Sequence, residues 1–144
     1  MNPRRTLQEN ESALRKVLTQ RTLEALSKQN VAFVLEHQND TQEQLSAYLS
    51  ACMDKLGHVP AWTEVLGGDL IELRFGGWLQ ALRSIGQTKF NDAQDPPRVQ
   101  NTQLFRDEFD RQRALDKQKK LEKKAESRER IRQEKAARKA AKKA

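Results

Sequence analysis

The chain has 144 residues, 36% of them hydrophobic and 33% charged, with a formal net charge of +7. That length holds one modest domain and excludes large multidomain enzyme architectures, and no apolar run approaches the roughly 18 residues of a bilayer span. The charge is unevenly placed: residues 111–144 carry 15 Lys and Arg against 5 Asp and Glu, whereas residues 1–110 carry 12 against 15. A mildly acidic body followed by a basic tail is the pattern of a globular unit with an arm for a polyanion.

Residues 10–29 read as an amphipathic helix, with Leu14, Val17, Leu18, Ala25 and Leu26 on one stripe and Arg15, Lys16, Gln20 and Lys28 opposite. Residues 31–35 (Val31, Ala32, Phe33, Val34, Leu35) suit a buried strand or a continuation of that helix. The helix is favoured, because no second strand exists to pair with them. Asp40 and Glu43 have capping-box spacing and predict a new helix from Thr41 to Leu56. Its inner face would carry Leu45, Tyr48, Leu49, Cys52, Met53 and Leu56, and Gly57 stops it. A lone cysteine among apolar neighbours reads as a small buried hydrophobe in a reducing compartment.

Short helices follow in quick succession. Pro60 opens one from Ala61 to Leu66, Asp69 caps a second from Leu70 to Phe75, and Trp78 to Ile85 forms a third, with Gly67-Gly68, Gly76-Gly77 and Gly86 between and after them. Tight glycine turns between short helices describe a helix-turn-helix-like unit. Residues 87–103 are linker-like in composition, with Asn91, Asp92, Asp95, Pro96, Pro97 and Asn101. Leu104, Phe105 and Phe109 form a last apolar cluster, able to dock on the body. Beyond them Leu121 and Ile131 are too far apart to specify a coiled coil. The pairs Asp116/Lys120, Glu126/Arg130 and Glu134/Arg138 each add about 0.3 kcal/mol to a helix, so the tail is expected to be helical or disordered.

Four regions result: an N-terminal helical segment at 1–40, a helical module at 41–86, a linker at 87–110 and the basic tail at 111–144. The fold class is all-α, a small helical bundle with a long basic C-terminal tail.

The stretch from Leu56-Gly57-His58-Val59-Pro60-Ala61-Trp62 to Arg74-Phe75-Gly76-Gly77-Trp78-Leu79-Gln80-Ala81-Leu82 and Gly86 resembles the homing endonuclease-associated repeat, in a single copy over about residues 41–86. That family shows a helix, a Leu-Gly…Pro turn, a short helix and an Arg-Phe-Gly-x-Trp ending. The resemblance implies a small helical DNA-binding module of the kind that accompanies nucleases or regulators, without implying the nuclease.

Phe75 and Trp78 flank the Gly-Gly corner and are expected in the core, where burying each ring contributes roughly 4–6 kcal/mol as an upper figure. Trp62 could staple its turn or face a ligand. Arg74 and Arg83 stand on helices otherwise given to apolar burial and are candidates for phosphates or guanine edges. His58 joins them as a loop residue of the module. In the tail, the candidate phosphate contacts are Lys117, Lys119, Lys120, Lys123, Lys124, Arg128, Arg130, Arg132, Lys135, Arg138 and Lys139.

No catalytic set is expected. His37 and His58 lie far apart in sequence, one cysteine completes no tetrahedral metal site, and neither a Walker-type motif nor a nucleophile with its base is present. The expectation is therefore a non-enzymatic nucleic-acid-binding accessory or regulatory protein, with no cofactor and no metal. DNA is favoured over RNA as partner, and no membrane is expected. Structured RNA, as in a ribosome-associated factor, is one alternative. A protein-interaction adaptor that docks on a protein partner or self-associates through its N-terminal helix, with a tail that is only solvating, is the other. The first residues contain Arg4 and Arg5 without an apolar segment behind them, so a cytoplasmic place, in the nucleoid or at the ribosome, is expected.

Overall fold

The computed structural model describes residues 7–87 and 96–143. Among the described residues there are five helices, α1 (Leu7–His37), α2 (Gln42–Leu56), α3 (Gly68–Phe75), α4 (Trp78–Ser84) and α5 (Gln103–Lys143), with 3-10 turns at Trp62–Glu64 and Val99–Asn101. Among the described residues there is no strand, and the protein is all-α. Residues 31–35 continue α1. The chain divides into two compact units, Met1–Phe109 and Asp110–Ala144.

The core of the first unit is built by the short helices. Leu45 and Leu49 of α2, Ile71 of α3, and Ala81 and Leu82 of α4 are all 0% exposed, and Val65, Trp78 and Phe33 join them. Helices of seven or eight residues have no stability of their own, so α3 and α4 exist because this core holds them. Trp78 is buried as expected and its indole Nε1 donates to the Pro60 carbonyl at 3.0 Å, which ties α4 to the turn after α2. Phe75 is only partly buried, packed at the margin of the cluster, because α3 turns its Leu70 and Ile71 inward.

Polar contacts fix the crossings. Asn30 of α1 accepts from the Gly67 amide at 2.8 Å and donates to the Asp69 carboxylate at 3.3 Å, holding the first turn of α3. The Tyr48 hydroxyl donates to the Leu66 carbonyl at 2.8 Å. Its ring belongs to an aromatic group with Phe33 and His37, the Phe33–Tyr48 centroids lying 4.8 Å apart. Burial pushes the Tyr48 hydroxyl well above its ordinary value, with the neighbouring Cys52 adding to the shift.

Several local expectations are corrected. The capping box of α2 is Thr41 with Gln44: Thr41 Oγ1 accepts from the Gln44 amide at 3.1 Å and Gln44 Oε1 accepts from the Thr41 amide at 2.8 Å. Asp40 instead meets His37 Nδ1 at 2.6 Å, one turn outside the helix. Gly67 rather than Asp69 precedes α3, because a left-handed residue (φ 76°) is required there and Asp69 falls inside the helix. The inner stripe of α1 is Leu18, Thr22, Leu26 and Phe33, leaving Leu14 and Val17 exposed. Thr22 is tolerated at 0% exposure because its hydroxyl donates to the Leu18 carbonyl at 2.6 Å.

The linker is shorter than its composition suggests. Residues 88–95 lie outside the described residues, but Val99–Asn101 form a 3-10 turn and Thr102 caps α5, its Oγ1 accepting from the Phe105 amide at 3.2 Å. Phe105 is buried and Phe109 stacks beside it at 5.8 Å, so the apolar cluster of 104–109 is the first part of α5.

Candidate nucleic-acid interface

The four candidates in the module do not converge. Arg74 is turned inward: its guanidinium donates to the Gln38 carbonyl at 3.1 Å and to the Asp40 carbonyl at 2.6 Å. Its own carbonyl accepts from Gln42 Nε2 at 3.0 Å. The arginine thereby clasps the end of α3 to the turn between α1 and α2, and that geometry commits one donor on each terminal nitrogen to a backbone carbonyl. Arg83 is exposed in the last turn of α4.

His58 Nε2 lies 2.6 Å from Glu64 Oε2, while Glu64 Oε1 accepts from the Ala61 amide at 3.0 Å. Histidine and carboxylate together close the loop around Pro60. Trp62 is 41% exposed and lines a cavity of about 300 Å³ with Leu26, Asn30, Val65 and Leu104. A second cleft of about 660 Å³ has Tyr48, Cys52 and Leu66 on its walls, and Lys55, Arg106, Glu64 and Asp107 also line it. Cations and carboxylates balance around that cleft, so it offers no net field to a phosphate. Burial pushes the Cys52 thiol above its ordinary value despite the Tyr48 hydrogen bond and Lys55, which favours the neutral thiol.

The second unit is different in kind. From Asp110 onward α5 continues without glycine or proline, rich in Ala, Lys, Arg, Glu and Gln, which are the strongest helix formers. All eleven tail candidates from Lys117 to Lys139 are exposed on it. Of the expected intrahelical pairs, Asp116 with Lys120 is present at 3.6 Å; Glu129 with Arg132 adds another at 3.6 Å.

The helix also shows what residue-type counting leaves out. Arg113, Lys117, Lys120, Lys124 and Arg128 follow one another at intervals of three or four residues, and Arg132, Lys135, Lys139 and Lys142 continue the series. On an α-helix that spacing makes one stripe. Arg113, Lys142 and Lys143 thus belong with the candidates, and the three-or-four spacing was the signal for them.

Among the described residues no group of His, Cys, Asp and Glu could hold a metal ion, and no helix is long and apolar enough to cross a membrane. Comparison with family models, with curated proteins and with solved structures finds no match to this chain.

Proposed function

We propose that the chain is a non-enzymatic nucleic-acid-binding protein of accessory or regulatory type. The basic length of α5 supplies phosphate contacts, and the helical module, read as a helix-turn-helix-like unit, positions the protein on a duplex. One observation carries the reading: 15 Lys and Arg within residues 111–144, on a continuous helix whose tail candidates are all exposed, follow a body with an excess of acids. Cations arrayed at that density release condensed counterions from a phosphate chain, and the body has no comparable field.

DNA is the favoured partner because residues 41–86 resemble a DNA-binding repeat, and Arg83, Trp62 and His58 are the module's solvent-facing candidates. A cytoplasmic place, in the nucleoid, accords with that partner. The test is a salt titration of binding to duplex DNA and to an RNA hairpin. With about eight phosphate contacts the slope of log K against log salt approaches −7, and affinity falls roughly 10³–10⁵-fold between 50 and 200 mM salt. Removing residues 111–144 should flatten that slope; a slope that survives the removal sinks the proposal. Tighter binding to the hairpin than to the duplex at equal salt would move the reading to structured RNA.

A second reading has its own observation. Leu14, Val17, Val31 and Leu35 of α1 are exposed, with Leu35 at 63%, and such residues suit a partner helix or a second copy. Sedimentation of the full chain at rising concentration separates the two: self-association lost in Val31→Ser with Leu35→Ser, together with no affinity for any nucleic acid, favours the adaptor.

A further inference from the structure

The charges of α5 are sorted by face. Taking 3.6 residues per turn, Arg113, Lys117, Lys120, Lys124, Arg128 and Arg132 fall within an arc of about 140°, as do the cations that continue the stripe from Lys135 to Lys143. Asp116, Glu122, Glu126, Glu129 and Glu134 all fall in the opposite arc of about 140°, shared with Arg111, Lys119, Lys123 and Arg130. Two ion pairs, Asp116 with Lys120 and Glu129 with Arg132, sit at the two seams between the faces. Within residues 111–143 the basic arc holds no carboxylate.

We propose that this face lies lengthwise along one phosphate ridge of a DNA duplex, with the carboxylate face turned to solvent. The inference rests on the reading of the chain as a nucleic-acid-binding protein and adds how the arm docks. Two magnitudes support it. From Arg113 to Lys142 the helix rises about 44 Å, so its basic face presents roughly one cation per 4 Å, enough for every phosphate of one strand, which carries one per 3.4 Å of axis and spaces them more widely along its own path. A helix seated deep in the major groove meets phosphates on both flanks, whereas a cationic face of about 140° backed by carboxylates matches phosphates on one side only. Placing Glu122, Glu126 and Glu129 against a second ridge would repel it.

The same face does not suit a bilayer. An interfacial helix carries a continuous apolar side, and beyond Leu115 this one offers only Leu121 and Ile131 as large apolar residues.

The experiment uses the full-length chain and duplex DNA of about 24 base pairs, with two double variants of equal net charge. Lys124→Gln with Arg128→Gln removes two charges from the basic face; Lys123→Gln with Arg130→Gln removes two from the other. The first pair should lower the magnitude of the salt slope by about 2 and weaken binding on the order of 50-fold near 0.1 M salt, since each contact contributes about 0.9 to the slope. The second should stay within about threefold of the parent, the residual effect of net charge on the long-range field. A charge exchange at constant composition, Lys124→Glu with Glu126→Lys, should also lose affinity, and circular dichroism verifies that each variant stays helical.

Equal losses from the two faces would overturn the one-sided docking while leaving nucleic-acid binding in place. A parent chain that does not bind the duplex at all would instead overturn the underlying reading. Vesicles of equal parts phosphatidylglycerol and phosphatidylcholine form the last arm. Weak attachment to them is expected; tighter binding than to the duplex, lost in the Lys124→Gln, Arg128→Gln variant, would assign the face to a membrane and overturn the proposal.

Discussion

The module of residues 41–86 and the arm beyond residue 110 are both helical, and for opposite reasons. In the module, α3 and α4 have eight and seven residues, too few to form alone, and they stand because Leu45, Leu49, Ile71 and Leu82 exclude water completely. The arm has almost nothing to bury and is helical through propensity and side-chain pairs. Individual residues therefore decide the module, while the arm responds to the pattern of its charges.

The contrast is sharpest under truncation. Ile71→Ala should cost about 2–5 kcal/mol, read from denaturant unfolding, because the site is fully enclosed. Leu121→Ala should stay within about 0.5 kcal/mol, since Leu121 is 66% exposed. A comparable loss at Leu121 would reveal a buried seam on the arm and break the comparison.

Glycine turns test the module from the backbone side. Gly67 and Gly57 both adopt left-handed φ, at 76° and 78°. A Cβ on Gly67 would overlap the Phe33 ring, whereas one on Gly57 meets nothing within 4 Å. Gly57→Ala should therefore cost about 1 kcal/mol for the backbone conformation alone. Gly67→Ala adds an overpacking cost and should reach about 2–4 kcal/mol, partly relieved by Phe33→Leu. Equal costs at the two glycines would mean that Phe33 yields freely and that the α1 contact is loose.

Much of this was legible in the sequence, and the failures have physical causes. The helix of 42–56, its glycine stop and the buried Trp78 follow from apolar spacing and from the one residue type that takes positive φ cheaply. Asp40 and Thr41 are both good caps, and only the direction of the incoming chain selects Thr41. Arg74 looked available because its donors go to the carbonyls of Gln38 and Asp40, more than thirty residues earlier, a pairing no local pattern contains. Leu14 and Val17 sit at helical spacing on α1, yet the inner line runs through Thr22, whose hydroxyl is satisfied by its own helix. The sorting of charge on α5 was present in the sequence, but counting by residue type hides it until the tail is known to be one unbroken helix.

Alkaline pH should separate the regions further. The Cys52 and Tyr48 groups are both raised, chiefly by burial, from ordinary values of 9.0 and 10.0. Their stabilisation is fully present below those values. As pH climbs past 9 the unfolded chain loses the thiol proton while the folded chain keeps it, and the tyrosine follows, so stability falls as pH rises. Unfolding midpoints should be level from pH 7 to 8 and decline above pH 9, and Cys52→Ala should remove the first part of the decline. Level midpoints up to pH 11 would contradict the burial of both groups.

The smallest effect belongs to the arm and follows from its stripe. Lysines and arginines three or four residues apart on one face repel, by about 0.2–0.5 kcal/mol for each pair, and the arm has more such neighbours than it has opposite-charge pairs. Salt screens exposed charges over about 10 Å at 0.1 M, so raising salt should relieve net repulsion and increase the helical circular dichroism signal by a few per cent. The module, held by apolar burial, should contribute nothing to that change. The charge exchange of Lys124 with Glu126 puts a carboxylate inside the stripe and should reduce the salt response while weakening the proposed binding to DNA. A helix that strengthens as its DNA contacts are lost would show that the arm accepts intrinsic instability to keep one face ready for phosphate; a helical signal that falls with salt in the parent would mean that its ion pairs outweigh the stripe.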